Sequence, residues 1–199
     1  MLTEFLLNKK ARLIAAVVAA LFIIGFPVFQ ICRYENVLAK GKTIKIKCRA
    51  YDPYDPFRGR YVRCRLETQV DYLVDFPKDD NPNNIFIRNG YVLIDVGHDG
   101  YIQFKEVVRK RPKKGNYVRC RAHRYYNNNR SEKARTTIIL TGLDRYYMNE
   151  KLAPKAEKAL IEALRDEQKT CHLEIKLLNG LAVPTQLYIE DQPIEEYVK

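Results

Sequence analysis

Serine occurs once in this chain, at Ser131 in an asparagine-rich loop with no neighbouring base. Nucleophilic serine chemistry needs a base within hydrogen-bond reach, so it is not expected. The Ser and Lys pair of a signal peptidase is missing for the same reason. Five cysteines are present (Cys32, Cys48, Cys64, Cys120 and Cys171) but never as Cys-x-x-Cys, which removes a metal knuckle. The three histidines, His98, His123 and His172, lack the close spacing that builds a hydrolytic or structural metal site. Neither a metal nor a cofactor is expected, no residue is assigned a catalytic role, and the chain reads as non-enzymatic.

What the chain does have is one long apolar run. Residues 11–32 read ARLIAAVVAALFIIGFPVFQIC, and from 13 to 29 no side chain is charged or strongly polar. Roughly 20 such residues cross a bilayer's hydrocarbon core as a helix. Lys9, Lys10 and Arg12 precede the run, whereas Arg33 after it is offset by Glu35. That asymmetry predicts a cytoplasmic N-terminus at 1–12, an anchor at 13–32 and an exported remainder at 40–199. The competing reading is a cleavable signal peptide with Val37-Leu38-Ala39 as its cleavage site. The length of the run favours an uncleaved anchor, and Pro27 near its far end is tolerable there.

The 199 residues suffice for one sizeable domain or two small ones, and the net charge is +11. Residues 41–149 carry 23 Lys and Arg against 12 Asp and Glu, while residues 150–199 carry 7 against 10. A basic middle segment suits an anionic partner: lipid headgroups, an envelope polymer or an acidic protein. It also keeps β-strand edges from aggregating. Nucleic acid is not an expected partner of an exported domain.

One phrase occurs twice, as Gly59-Arg60-Tyr61-Val62-Arg63-Cys64-Arg65 and as Gly115-Asn116-Tyr117-Val118-Arg119-Cys120-Arg121. It suggests a duplicated β-unit, with repeats at about 42–74 and 91–126. Residues 43–50 alternate as a half-buried strand, with Ile44, Ile46 and Cys48 on one face and Lys45, Lys47 and Arg49 on the other. A loop with two Asp-Pro steps follows at 51–59. Hairpin signals stand at Asn89-Gly90, Asp99-Gly100 and Asn179-Gly180. A helix is expected at about 153–169, with Pro154 in its first turn, and a closing hairpin at 171–190. Pro184 marks the last strand as an edge or a bulge. The fold class is therefore mainly β (α+β): an N-terminal transmembrane helix, then a β-rich domain with one helix and a C-terminal hairpin.

Asp52, Pro53, Asp55, Pro56, Arg58, Gly59, Tyr61 and Val62, with Tyr146-Tyr147-Met148-Asn149-Glu150 near the end, resemble the GDYXXLXY proteins, a bacterial membrane-anchored family known by its motif. Arg60 stands where the motif has Asp, Cys64 where it has Leu, and Leu66 where it has Tyr. The second copy has Asn116, Cys120 and Ala122 at those places. The resemblance implies a membrane-tethered exported domain of no established activity that accompanies a multi-span membrane protein, and it brings no catalytic residues.

Among polar candidates, Asp52 and Asp55 read as turn residues that accept hydrogen bonds from loop amides or Arg58. His98 sits in a Gly-His-Asp-Gly turn. A hydrolase using these three would need a cleft to gather them. The best functional candidate is an arginine stripe. Alternation puts Tyr61, Arg63 and Arg65 on one strand face, and Tyr117, Arg119, Arg121 and His123 on another. Adjacent strands would merge these into a patch of four guanidiniums and two phenols suited to phosphate or carboxylate. The bland alternative is a solvated sheet face. Cys64 and Cys120 face inward at equivalent positions, as a disulfide or as reduced core thiols. The expected function is an accessory or interaction domain on the extracytoplasmic side of the bacterial inner membrane, in a single-pass protein. The alternative is a polyanion-binding module for anionic lipid or envelope polymer.

Overall fold

The structure is a computed structural model that describes residues 9–49, 61–63, 65–66, 69–71, 84–125, 135–143, 145–166 and 168–199. The apolar run forms helix α1, Lys9–Lys40, with Pro27 inside it. Its side chains from Leu13 to Phe29 are exposed, and Val37 is its one buried residue. It is a helix long and apolar enough to cross a membrane. An apolar surface this long, uncovered by the described residues, fits a lipid environment.

Strands β1 (Lys42–Arg49), β2 (Tyr61–Arg63), β3 (Arg65–Leu66), β4 (Gln69–Asp71), β5 (Asn84–Val96), β6 (Ile102–Val108), β7 (Asn116–Tyr125), β8 (Arg135–Leu140) and β9 (Arg145–Tyr147) follow in order. Helix α2 (Ala153–Arg165), β10 (Cys171–Leu178), β11 (Leu181–Ile189), β12 (Gln192–Pro193) and α3 (Ile194–Tyr197) complete the chain. The strands form two five-stranded sheets, ordered β12-β11-β10-β1-β3 and β4-β8-β7-β5-β6, and a separate pair, β2-β9. The fold is mainly β with some α.

A single apolar cluster joins these parts. Ile44, Ile46 and Ile175 come from the first sheet, Val92, Val118 and Ile138 from the second, Val62 from the pair, and Ala156 and Leu160 from α2. Helix α2 contributes because Ala153, Ala156, Leu160 and Ala163 recur on one face. It stops at Arg165, short of the expected 169. Asp166 leaves the helical conformation, its Oδ1 accepting from the Gln168 N–H at 3.1 Å and its carbonyl from the Lys169 N–H at 3.0 Å. Such local bonding by Asp competes with the next helical turn.

Asn89-Gly90 is no hairpin. β5 runs through it, flanked by β6 and β7, and slips register against β7 between Ile87 and Gly90. A Cβ at Gly90 would lie 2.7 Å from Ile87 Cγ2, so the glycine permits a bulge in a crowded central strand. Asn179-Gly180 does turn the chain, with φ of 52° and 82°, the pair of left-handed residues that a type I′ hairpin requires. Pro184 sits opposite Ile175 at a register shift, where β12 does not extend along β11. Its missing N–H is therefore harmless.

Candidate functional site

The second copy of the repeated phrase lies in β7, between β5 and β8. Val118, Cys120 and Ala122 are each 1 % exposed, so the inward face is core. Burial pushes the Cys120 thiol up to about 12. Arg119 and Arg121 point to solvent. Tyr117 does not join them, although alternation puts it on their face. It is buried, packed edge-on against Tyr91 with ring centroids 5.7 Å apart, and covered by the Asn179-Gly180 turn. Arg111 clamps that contact: its Nε donates to the Tyr117 hydroxyl at 2.8 Å and its Nη2 to the Asn179 carbonyl at 3.3 Å. The Arg119 N–H donates to the Gly180 carbonyl at 3.2 Å. The tyrosine thus joins the two sheets instead of serving an anion patch. Gly115, with φ of 89°, opens the strand that carries it.

The first copy is split. β2 pairs with β9, matching Tyr61 with Tyr147, Val62 with Tyr146 and Arg63 with Arg145. β3 pairs with β1, matching Arg65 with Arg49. Val62 and Leu66 are buried. Asp52, Pro53, Asp55, Pro56, Arg58, Gly59 and Cys64 lie outside the described residues. The two copies are not neighbours in any sheet, so Arg63 and Arg65 stand apart in register from Arg119 and Arg121. The adjacency on which the four-arginine patch depends is absent among the described strands. Cys120 carries a free thiol.

The outer face of the second sheet is mixed. On it His123 opposes Phe86 and Thr137, and Arg121 opposes Ile139. Phe86 is 52 % and Ile139 51 % exposed, and Phe86 meets His123 edge-on at 5.7 Å. Arginine and aromatic side chains, both present here, are over-represented at protein interfaces.

Elsewhere, His98 is exposed in a turn where the Asp99 carboxylate accepts from the Tyr101 N–H at 3.1 Å. Asp95 is paired with Lys105 at 2.8 Å, and that hydrogen bond first, with the Val96 N–H, holds its carboxyl below the usual range. Among the described residues no group of three or more His, Cys, Asp or Glu is arranged to hold a metal ion.

One polar residue escaped the sequence reading. His172 alternates with Glu174 and Lys176 and should face solvent, yet it is 1 % exposed. Its ring stacks on Tyr188 at 4.8 Å, with Tyr101 edge-on at 5.8 Å. Tyr101 arrives from the second sheet, held by a bridge to Lys45 that local periodicity cannot reveal. Nδ1 has no hydrogen-bond partner, and Nε2 lies 4.0 Å from Asp191. Burial first, then Lys45, lowers the imidazole's pKa, so the ring is neutral at pH 7. The imidazole is packed between two phenol rings.

The two segments that carry the family resemblance are hydrogen-bonded partners, since β2 lies against β9. Tyr146 of β9 donates to Glu195 Oε1 at 2.6 Å, and Gln186 donates to the other carboxylate oxygen at 2.5 Å. Tyr146 therefore ties the strand pair to the C-terminal α3. A helix long and apolar enough to cross a membrane, leading directly into a two-sheet β-domain in which the motif's Tyr146 is bonded to α3, defines the class of protein. The chain belongs to the GDYXXLXY protein family, whose match runs over residues 23–187, from within α1 to β11. No curated protein and no solved structure gives a match.

Proposed function

We propose that this protein is a membrane-tethered accessory domain. In this reading α1 spans the inner membrane with its N-terminus in the cytoplasm. The β-domain is held on the extracytoplasmic side as a non-catalytic interaction module for a multi-span membrane partner. The observation that carries the reading is the junction. α1 continues to Lys40, packs on β10 and β11, and is followed by Gly41 alone before β1 begins. Val37 is buried in this contact and its carbonyl accepts from the Gly41 N–H at 2.8 Å. A flexible stalk would let the domain search widely. This junction holds it at one height, within reach of proteins in the same membrane.

The mixed face around Phe86, Arg119, Arg121 and Ile139 is the contact surface in this proposal. Its test is cross-linking of the intact protein in native membranes, followed by affinity purification and mass spectrometry. One reproducible multi-span partner, lost on Arg121→Glu with Ile139→Glu, is the expected result. If no partner is captured while anionic polymer co-purifies and is lost on Arg119→Ala with Arg121→Ala, the accessory reading falls. The polyanion-binding reading then replaces it.

A further inference from the structure

The basic turn between β6 and β7 has no role in the contacts above except through Arg111. Residues 109–114 read Arg-Lys-Arg-Pro-Lys-Lys, with no carboxylate between Val107 and Asn116. Arg109, Lys110, Arg111, Lys113 and Lys114 are all exposed. We propose that this turn is a juxtamembrane site that binds anionic lipid headgroups. The proposal rests on the membrane-spanning reading of α1.

Topology supplies the argument. β1 follows α1 after a single residue, Gly41. Its first residue, Lys42, pairs with Leu177 near the end of β10. The turn that follows β10 therefore lies at the same end of the sheet as the start of β1, the end where α1, which packs on β10 and β11, joins the domain. Asn179 at the tip of that turn accepts the hydrogen bond from Arg111, and Gly180 lies against Tyr117 at the start of β7. The 109–114 turn is thus brought to the end of the domain that faces the membrane.

The height is also suitable. The apolar run ends at Cys32, and from there to Lys40 the helix rises roughly 12 Å. Headgroups occupy on the order of 5–8 Å of each leaflet, and electrostatic attraction persists over about 8 Å at physiological ionic strength. Long lysine and arginine side chains at that level reach the headgroup zone. Lys40 and Lys42, both exposed at the helix exit, add to the same field. Anionic lipid attracts such a cluster, and zwitterionic lipid does not.

The test uses the full chain in lipid nanodiscs of phosphatidylcholine alone or with about a third phosphatidylglycerol, whose anionic headgroups attract a polybasic segment. Lysine acylation by a neutral reagent is read by mass spectrometry, with exposed Lys155 and Lys158 of α2 as internal references. We expect acylation of Lys110, Lys113 and Lys114 to fall on the order of threefold in anionic discs and to recover near 0.5 M salt. The exposed triple substitution Lys110→Gln, Lys113→Gln, Lys114→Gln should abolish the wild-type protein's enrichment of phosphatidylglycerol in mixed discs. Equal acylation in both discs, with the chain still disc-bound, overturns the headgroup site and leaves the anchor standing. A chain that elutes apart from the discs overturns the anchor and this inference together.

Discussion

The repeated phrase serves two different structural purposes in one molecule. In the second copy it is one uninterrupted central strand, and its tyrosine is buried under a hairpin from the other sheet. In the first copy the same letters are divided between two partners, β9 and β1, and belong to two different sheets. What the copies share is the inward face: Val62 matches Val118 and both are inaccessible to solvent. Alternation and burial travel with a sequence phrase; neighbours do not. Strand partners are set by the long-range fit of whole elements.

The sharpest way to break the second copy's arrangement is Gly180→Ala. A Cβ there would sit 2.3 Å from the Tyr117 ring, and the residue would keep a φ of 82°. Left-handed strain costs roughly 1–2 kcal/mol, and overpacking of a close contact typically adds about 1–3. We expect a loss of roughly 3 kcal/mol in urea unfolding of the β-domain, partly rescued by Tyr117→Ala. Full additivity of the two substitutions would refute the docking contact.

The first copy has its own brace. Tyr146→Phe removes the hydroxyl that donates to Glu195 while keeping the ring. A hydrogen bond to a carboxylate is worth about 1.5–3 kcal/mol, and partial exposure puts this one at the lower end. We expect a loss of about 1–2 kcal/mol. Gln186→Leu should cost a comparable amount, and the two together less than their sum, because both donors serve one carboxylate. A Tyr146→Phe protein as stable as the wild type would mean that the strand pair needs no tie to α3.

Local features were legible in the sequence. The 3.6-residue spacing marks α2, the Asn179-Gly180 signal marks a hairpin, and residues 13–29 mark the apolar helix. Strand faces were legible too, as Val118, Cys120 and Ala122 show. What could not be read was anything requiring a partner from elsewhere in the chain. Asn89-Gly90 carries the same turn signal as Asn179-Gly180, yet strands on both sides hold it extended. Tyr117 shares a face with two exposed arginines and is buried only because a turn over sixty residues away lands on it.

His172 offers the smallest effect and a direct measure of how closely the sheets meet. Its burial depends on Tyr101 of one sheet and Tyr188 of the other. The charged groups facing it are Lys45 and Lys47 of β1, Glu174 of β10, and Asp191 beyond β11. Because burial lowers its pKa below the ordinary 6.5, the unfolded chain binds the proton more readily than the folded one. Stability is then unaffected by this group above about pH 6.5 and declines as pH falls below it, levelling off under the folded value. His172→Phe keeps a flat ring between the two tyrosines and should remove that decline from the pH profile of urea unfolding. If wild type and His172→Phe lose stability in parallel between pH 7 and 5, the imidazole is hydrated in solution and the two sheets do not close over it.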